Sequence, residues 1–234
     1  GDGTQYFDLA NVYLYVKAAI TKADGTNLAV DAHPGPINNW LHSLFEEVEV
    51  KLGNTVVTTP TRTYPYRAYL ENLLSMGNDA KETQMTTCLF YKDSPTKMDG
   101  MSSLAADDAN QGLVQRGAFT SLSRPVEMTG RIHADIFNQD KLLLNRVPMR
   151  IKLIRSRDTF SIMGGGPAPA YKVHIVSAKL YVRRVDVSPL VFTAHQKALN
   201  LGPAKYPIKR VVCKYFTIPQ NNSSTNQENL HTDR

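Results

Sequence analysis

Cysteine is scarce in this sequence: among 234 residues there are two, Cys88 and Cys213, far apart along the chain. Two cysteines build no disulfide framework, and without clustered partners they make a poor metal site. Both read as small buried hydrophobes in a reducing compartment. No stretch of about 18 apolar residues occurs, so no segment is a candidate membrane-spanning helix. The opening residues Gly1-Asp2-Gly3-Thr4-Gln5 hold neither the basic region nor the apolar core of a secretory signal, and no initiator Met, and read as a fragment boundary. The six histidines (His33, His42, His133, His174, His195, His231) include no i, i+4 pair with an intervening carboxylate, which a zinc-hydrolase helix requires. His133 and Asp135, two apart, share only a strand face. No G-x-S-x-G nucleophile elbow is present. Glu46-Glu47 and Asp107-Asp108 are adjacent pairs whose side chains diverge. Gly164-Gly165-Gly166 is followed by Pro167, Ala168 and Pro169; prolines remove the amides and block the helix that a phosphate cradle needs, so this reads as a loop between strands. The expectation is therefore no catalytic, cofactor-binding or metal-ligating residue: not an enzyme, and no small-molecule substrate.

What is abundant is alternation. Val12, Leu14 and Val16 face one side of a strand, and Tyr13, Tyr15 and Lys17 the other. Val48-Glu49-Val50-Lys51-Leu52 repeats the pattern. Gly53-Asn54 then separates it from Thr55-Val56-Val57-Thr58, a tight hairpin because those two residues tolerate positive φ. Met149, Ile151 and Leu153 alternate with Arg150 and Lys152. Val173-His174-Ile175 leads into Ala178-Lys179-Leu180-Tyr181-Val182-Arg183, and Tyr206, Ile208, Val212 and Phe216 lie in a long β-prone run ending at Pro219. Pro125 to Thr129 and Thr159 to Met163 are weaker strands.

Short helices are expected at three places. Ile37 to Phe45 groups Ile37, Leu41, Leu44 and Phe45. Tyr66 to Met76 groups Tyr66, Tyr69, Leu70, Leu73 and Leu74, with Gly77 as its C-cap. Pro189 to Leu199 has Ser188 as N-cap and proline in its first turn. Lys92 to Gly117 reads as a long exposed loop, and 220–234 as a polar linker or tail. Too few helices lie between strands for βαβ units, so the fold class is all-β with short helices in loops: an antiparallel jelly-roll β-sandwich of two facing sheets of about four strands, in a single domain over 1–219.

Lysine and arginine exceed acidic residues by 27 to 21, a net charge of +6. The densest basic runs, Arg150 to Arg157 and Lys205 to Lys214, alternate with apolar residues and read as solvated strand faces. The most unusual local composition is Tyr64-Pro65-Tyr66-Arg67-Ala68-Tyr69. It suits packing under the sandwich, with Tyr64 and Pro65 in a turn, or a protein interface, or base stacking.

Five ordered blocks carry a resemblance. They are Gly35-Pro36-Ile37-Asn38-Asn39-Trp40-Leu41-His42-Ser43-Leu44-Phe45, Tyr64 to Ser75, His133-Ala134-Asp135-Ile136-Phe137-Asn138-Gln139-Asp140-Lys141 with Leu142 to Asn145, Lys152 to Asp158, and Ala204 to Val211. In this order they resemble the major capsid proteins of Polinton (Maverick) elements and adintoviruses, from about Tyr6 to Pro219. The resemblance implies a vertical jelly roll whose loops build trimer contacts. In the family two such rolls form pseudo-hexagonal trimers that tile an icosahedral shell, with no catalytic residues to carry over. The family continues beyond this point into a second jelly roll; this sequence stops at Arg234, so the expectation is the N-terminal roll alone. Candidate subunit-contact residues are Tyr64, Tyr66, Arg67, Tyr69, Phe137, Arg155 and Arg157. The implied partners are copies of the chain, other capsid proteins and, through the net charge, non-specific contact with packaged DNA, with no membrane partner. The implied location is a virion capsid assembled inside the host cell. Rival readings are a lectin-like binding module, with Tyr13 and Tyr15 on an exposed sheet face, a cupin-like enzyme with converging imidazoles and carboxylates, and a domesticated or degenerate capsid relic.

Overall fold

The computed structural model describes residues 5–165, 170–224 and 226. The chain opens with an 18-residue strand, β1 (Gln5–Lys22). A short strand β2 (Gly35–Pro36) and a one-turn helix α1 (Trp40–Ser43) follow. Then come strand β3 (Phe45–Leu52), strand β4 (Thr55–Val56), helix α2 (Tyr64–Ser75) and helix α3 (Asn78–Glu82). Helix α4 (Gln111–Thr120) precedes strand β5 (Val126–Arg131). Strand β6 (Met149–Arg155), one-turn helix α5 (Asp158–Ser161), strand β7 (Ile162–Met163), strand β8 (Tyr171–Asp186) and helix α6 (Pro189–Leu201) complete the order.

All strand pairs are antiparallel. β1 lies between β5 and β8; β3 lies between β4 and β6; β2 pairs with β7. Val12, Leu14 and Val16 turn inward and are buried, as the alternation requires, and Val48 and Val50 enter the same hydrophobic core from β3. Trp40, Leu41, Leu44, Ile136, Phe137 and Leu143 belong to the same core. The β1–β8 register shifts between Asp8 and Val12. There the Asp8 carboxylate accepts from Ala10 N (3.2 Å) and Asn11 Nδ2 (2.7 Å), giving the displaced backbone a partner. The Gly53-Asn54 turn forms as expected, with Lys51 opposite Val56 and Gly53 at φ 58°. α6 also starts where its cap predicts, the Ser188 hydroxyl accepting from Val191 N.

Several expectations are corrected. Among the described residues the strands form two three-stranded sheets and one two-stranded sheet, so the arrangement is β-rich and antiparallel without four strands in each leaf. Residues 203–219 form no strand, although Tyr206 and Ile208 pack on the core. Pro207 lacks a ladder donor, and backbone groups of this segment bond instead to side chains of the body. Thr159 to Met163 is mostly the turn α5, and only Ile162–Met163 pair as a strand. The helix at Ile37 to Phe45 shrinks to one turn, because Asn39 is left-handed and Ile37 N bonds Ser161 O.

The long loop ends at 110, because Gln111 begins α4. Asn110 caps that helix by accepting from Leu113 N. Two glycines of α4 are positions of close approach. A Cβ on Gly112 would lie 2.5 Å from Lys92 O, and one on Gly117 2.2 Å from the Ser103 Cβ. On the inner side of α4 Arg116 is wholly buried. It donates to Pro36 O (2.9 Å), Tyr91 O (2.7 Å) and the Asp93 carboxylate (2.7 Å). Asp93 also accepts from Asn110 Nδ2, so one network ties the loop to the helix cap. The glycine-proline loop at 164–169 falls partly, and the tail partly, outside the described residues.

Candidate functional site

Helix α2 organises a buried polar cluster. Its first turn carries Pro65, a residue whose fixed φ suits a helix start. Tyr64, Ala68 and Asn72 repeat at four-residue spacing and turn inward, where all three are buried. Of the apolar set grouped on one face of this helix, Tyr69 is partly buried and the other four face outward: Tyr66 is 50% exposed, Leu70 46%, Leu73 41% and Leu74 80%. Gly77 is likewise not the C-cap of α2; Met76 takes that place, and Gly77 precedes α3.

Beneath α2 lie residues that sequence spacing did not connect. Arg67 donates to the Glu71 carboxylate (2.7 Å) and forms a two-point ion pair with Asp135. Glu71 Oε2 lies 2.6 Å from His133 Nδ1. The His133 ring meets His42 edge to face at 4.7 Å between centroids, and His42 Nδ1 lies 2.9 Å from the Tyr64 hydroxyl. His42 Nε2 is buried with no hydrogen-bond partner. Burial, then the neighbouring His133, holds His42 well below the usual imidazole range, and burial raises the Tyr64 phenol above its ordinary value. Burial pulls Arg67 down, but its bonds to Asp135 and Glu71 outweigh this and raise it. For Glu71 burial acts upward, and the bonds from His133 and Arg67 prevail to lower it. The Cys88 thiol, buried and donating to Thr129 O (3.3 Å), is pushed up to about 11 by burial, which leaves it a poor nucleophile. Among the described residues no group of three or more His, Cys, Asp or Glu side chains is placed to hold a metal ion.

An open cleft of about 760 Å³ borders this cluster, its lining including His42, Glu71, His133, Cys88, Thr129 and Arg131. Segment 203–219 runs across the rim. Arg67 Nη1 donates to Val211 O (3.2 Å) while Val211 N donates to the Asp135 carboxylate (3.3 Å), so the ion pair grips both backbone groups of one extended residue.

The seven sequence-predicted contact residues part company here. Tyr64 and Phe137 are buried and belong to the chain's own hydrophobic core. Arg67 is held inside the cluster. Tyr69 is partly buried and tilts against Phe90. Tyr66 lies at the surface against Phe160 and Tyr215. Arg155 is exposed and donates to Asp158 (2.7 Å) and to Val173 O, and Arg157 is exposed at the start of α5. Cys213 is only partly buried, unlike Cys88. Arg150 and Lys152 are solvated on β6 as expected, whereas Lys205 to Lys214 lie on no strand.

Since His42 is neutral in the fold and its free pKa is near 6.5, the unfolded chain takes up a proton first as pH falls. Its contribution to stability is complete above that value and is lost progressively below it. Glu71, depressed in the fold, adds loss of the same sign below about 4.3. Thermal melts are therefore expected to fall in temperature from pH 7 to pH 5, and His42→Gln to flatten that slope. A pH-independent melt over this window contradicts the assignment.

No protein-family profile matches the chain. It is 22% identical over 166 residues to the uncharacterized protein F54H12.2 of Caenorhabditis elegans, an alignment covering 67% of this chain and 36% of that protein. The aligned region thus spans about a third of that relative's length. Among the described residues no helix is long and apolar enough to cross a membrane.

Proposed function

We propose that the chain is a structural subunit of a viral or virus-like icosahedral capsid of the Polinton type, acting by protein–protein packing and not by catalysis. The two three-stranded sheets are then the opposed leaves of a jelly roll, and the copies meet as trimers. One observation carries the reading. The sequence blocks that bear the resemblance meet in space: Trp40 and His42 from the first, Tyr64, Arg67 and Glu71 from the second, His133, Asp135 and Phe137 from the third, and Lys205 to Val211 from the last. The fourth joins through Ser156 N, which donates to Leu44 O (2.9 Å). These blocks therefore build the framework of one fold, and the second of them, on α2, leaves apolar side chains at the surface.

The outward face of α2 fits the role of contact surface. Tyr66, Leu70, Leu73 and Leu74 form one stripe, with Phe160 and Tyr215 against Tyr66. Apolar patches of this kind on a protein surface mark interaction sites. The double variant Leu70→Lys, Leu73→Lys is expected to weaken self-association at least about tenfold, since two apolar anchors are lost. Its melting point is expected to stay close to that of the parent, because neither side chain is in the core. Sedimentation velocity and a thermal melt check both; association unchanged in the double variant rejects α2 as a contact.

A further inference from the structure

We propose that residues 203–219 are an exchangeable arm: when two copies of the chain associate, the arm of one seats in the Arg67–Asp135 clamp of the other. Its seat is defined by seven hydrogen bonds. Lys141 Nζ donates to Lys205 O (3.1 Å), the Tyr206 hydroxyl donates to Leu142 O and accepts from Leu144 N (both 3.2 Å), and Gln139 Nε2 donates to Pro207 O. Val211 is gripped at both backbone groups, and the Thr63 hydroxyl donates to Cys213 O (3.1 Å). Every one of these partners belongs to the body between Thr63 and Leu144; none belongs to β8 or α6, which deliver the arm. The seat therefore recognises the same arm equally well whether it comes from its own chain or from a second copy.

Two further features favour the second copy. The arm leaves α6 through Gly202-Pro203, and no residue of α6 is buried. Helix α6 thus rests lightly on the body, its named contacts being Tyr6 with Phe192 and with the His195 ring (3.1 Å from the Tyr6 hydroxyl to Nδ1). In the closed chain the arm also leaves large apolar side chains in water: Tyr215 is 74% exposed, and Val211, Phe216 and Ile218 are about half exposed, with Leu190 and Leu201 of α6 almost fully so. Exchange preserves the seat and creates a new contact between the two crossing arms in which these side chains become buried.

The inference rests on the self-association reading, and the experiment separates the two. A benzophenone maleimide is attached to Cys213 of unlabelled protein; Cys88, fully buried, stays unlabelled. This protein is unfolded and refolded at high concentration with an equal amount of unmodified, nitrogen-15-labelled protein, then irradiated. Crosslinks are expected to Thr58, Thr61, Thr63 or Ala134, which line the cavity around Cys213. With exchange, about half of the adducts in the associated fraction join a light arm to a heavy body, as random pairing of arms requires. If association occurs and every adduct is light with light, the exchange is overturned and packing between closed chains stands. Absence of any adduct on the body residues also overturns it, since the arm is then unseated. Absence of association at every concentration removes both.

Discussion

Replacing Arg116 with alanine is expected to lower the unfolding free energy by about 3–5 kcal/mol, the range for breaking a buried ion pair on one side. The residue is 0% exposed and supplies three donors to Pro36 O, Tyr91 O and Asp93. Pro36 is buried and the Asp93 side chain is 17% exposed, so these acceptors are poorly placed to be rescued by water once the guanidinium is gone, although Asp93 keeps the Asn110 amide. For a chain of this size the melting temperature should drop on the order of 10 °C. Arg116→Lys should recover only part of the loss, because an ammonium cannot span three acceptors in the guanidinium plane. Native-state hydrogen exchange should show residues 92–110 opening before the sheets do. A melt unchanged by Arg116→Ala contradicts the network.

Removal of Arg67 is expected to be nearly as costly and to have a more local signature. Its side chain is 13% exposed and that of Asp135 8%, so Arg67→Ala strands a carboxylate inside the fold and costs about 3 kcal/mol. Glu71 keeps its bond to His133, which limits the damage on that side. Val211 loses the acceptor contact to the guanidinium, and limited proteolysis within 203–219 should accelerate well before global unfolding. In a double-mutant cycle with Asp135→Ala the coupling should exceed about 1 kcal/mol, as for residues sharing one network. Additive effects with an unchanged proteolysis pattern contradict the clamp.

The parts of this fold that were legible in the sequence are those that local chemistry decides. Gly53-Asn54 had to turn because it separates two β-rich runs with residues that accept positive φ. Val12, Leu14 and Val16 had to share a face because strand side chains alternate. Ser188-Pro189 opened a helix for reasons contained in two residues. Where tertiary partners decided, the same reasoning misled. α2 buries Ala68 and Asn72, small enough for α1 and β3 to approach, while its larger apolar side chains are left for solvent or another chain; amphipathic counting assigns the larger side chains to the core. Gly112 and Gly117 fell within or at the end of the stretch read as a loop, and the close approaches of Lys92 O and Ser103 that explain them are tertiary. Arg116, in a polar stretch, carried no sign that it is buried.

The polar cluster was invisible for a different reason. His42, Glu71 and His133 come from three separate blocks, with no motif spacing among them, and are brought together only by the tertiary fold. The alternation of Tyr206, Ile208 and Val212 gave a strand by period, yet the segment bonds side chains of the body and no sheet edge. β-propensity describes a fit to a pleated surface, and none is offered to this segment within one chain.

That the outward apolar faces of α2 and of the arm serve other copies of the chain is tested most directly by sedimentation equilibrium of the intact protein over a wide concentration range. The account predicts a reversible shift from monomer to discrete larger species as concentration rises. A single monomeric mass at every concentration would contradict it.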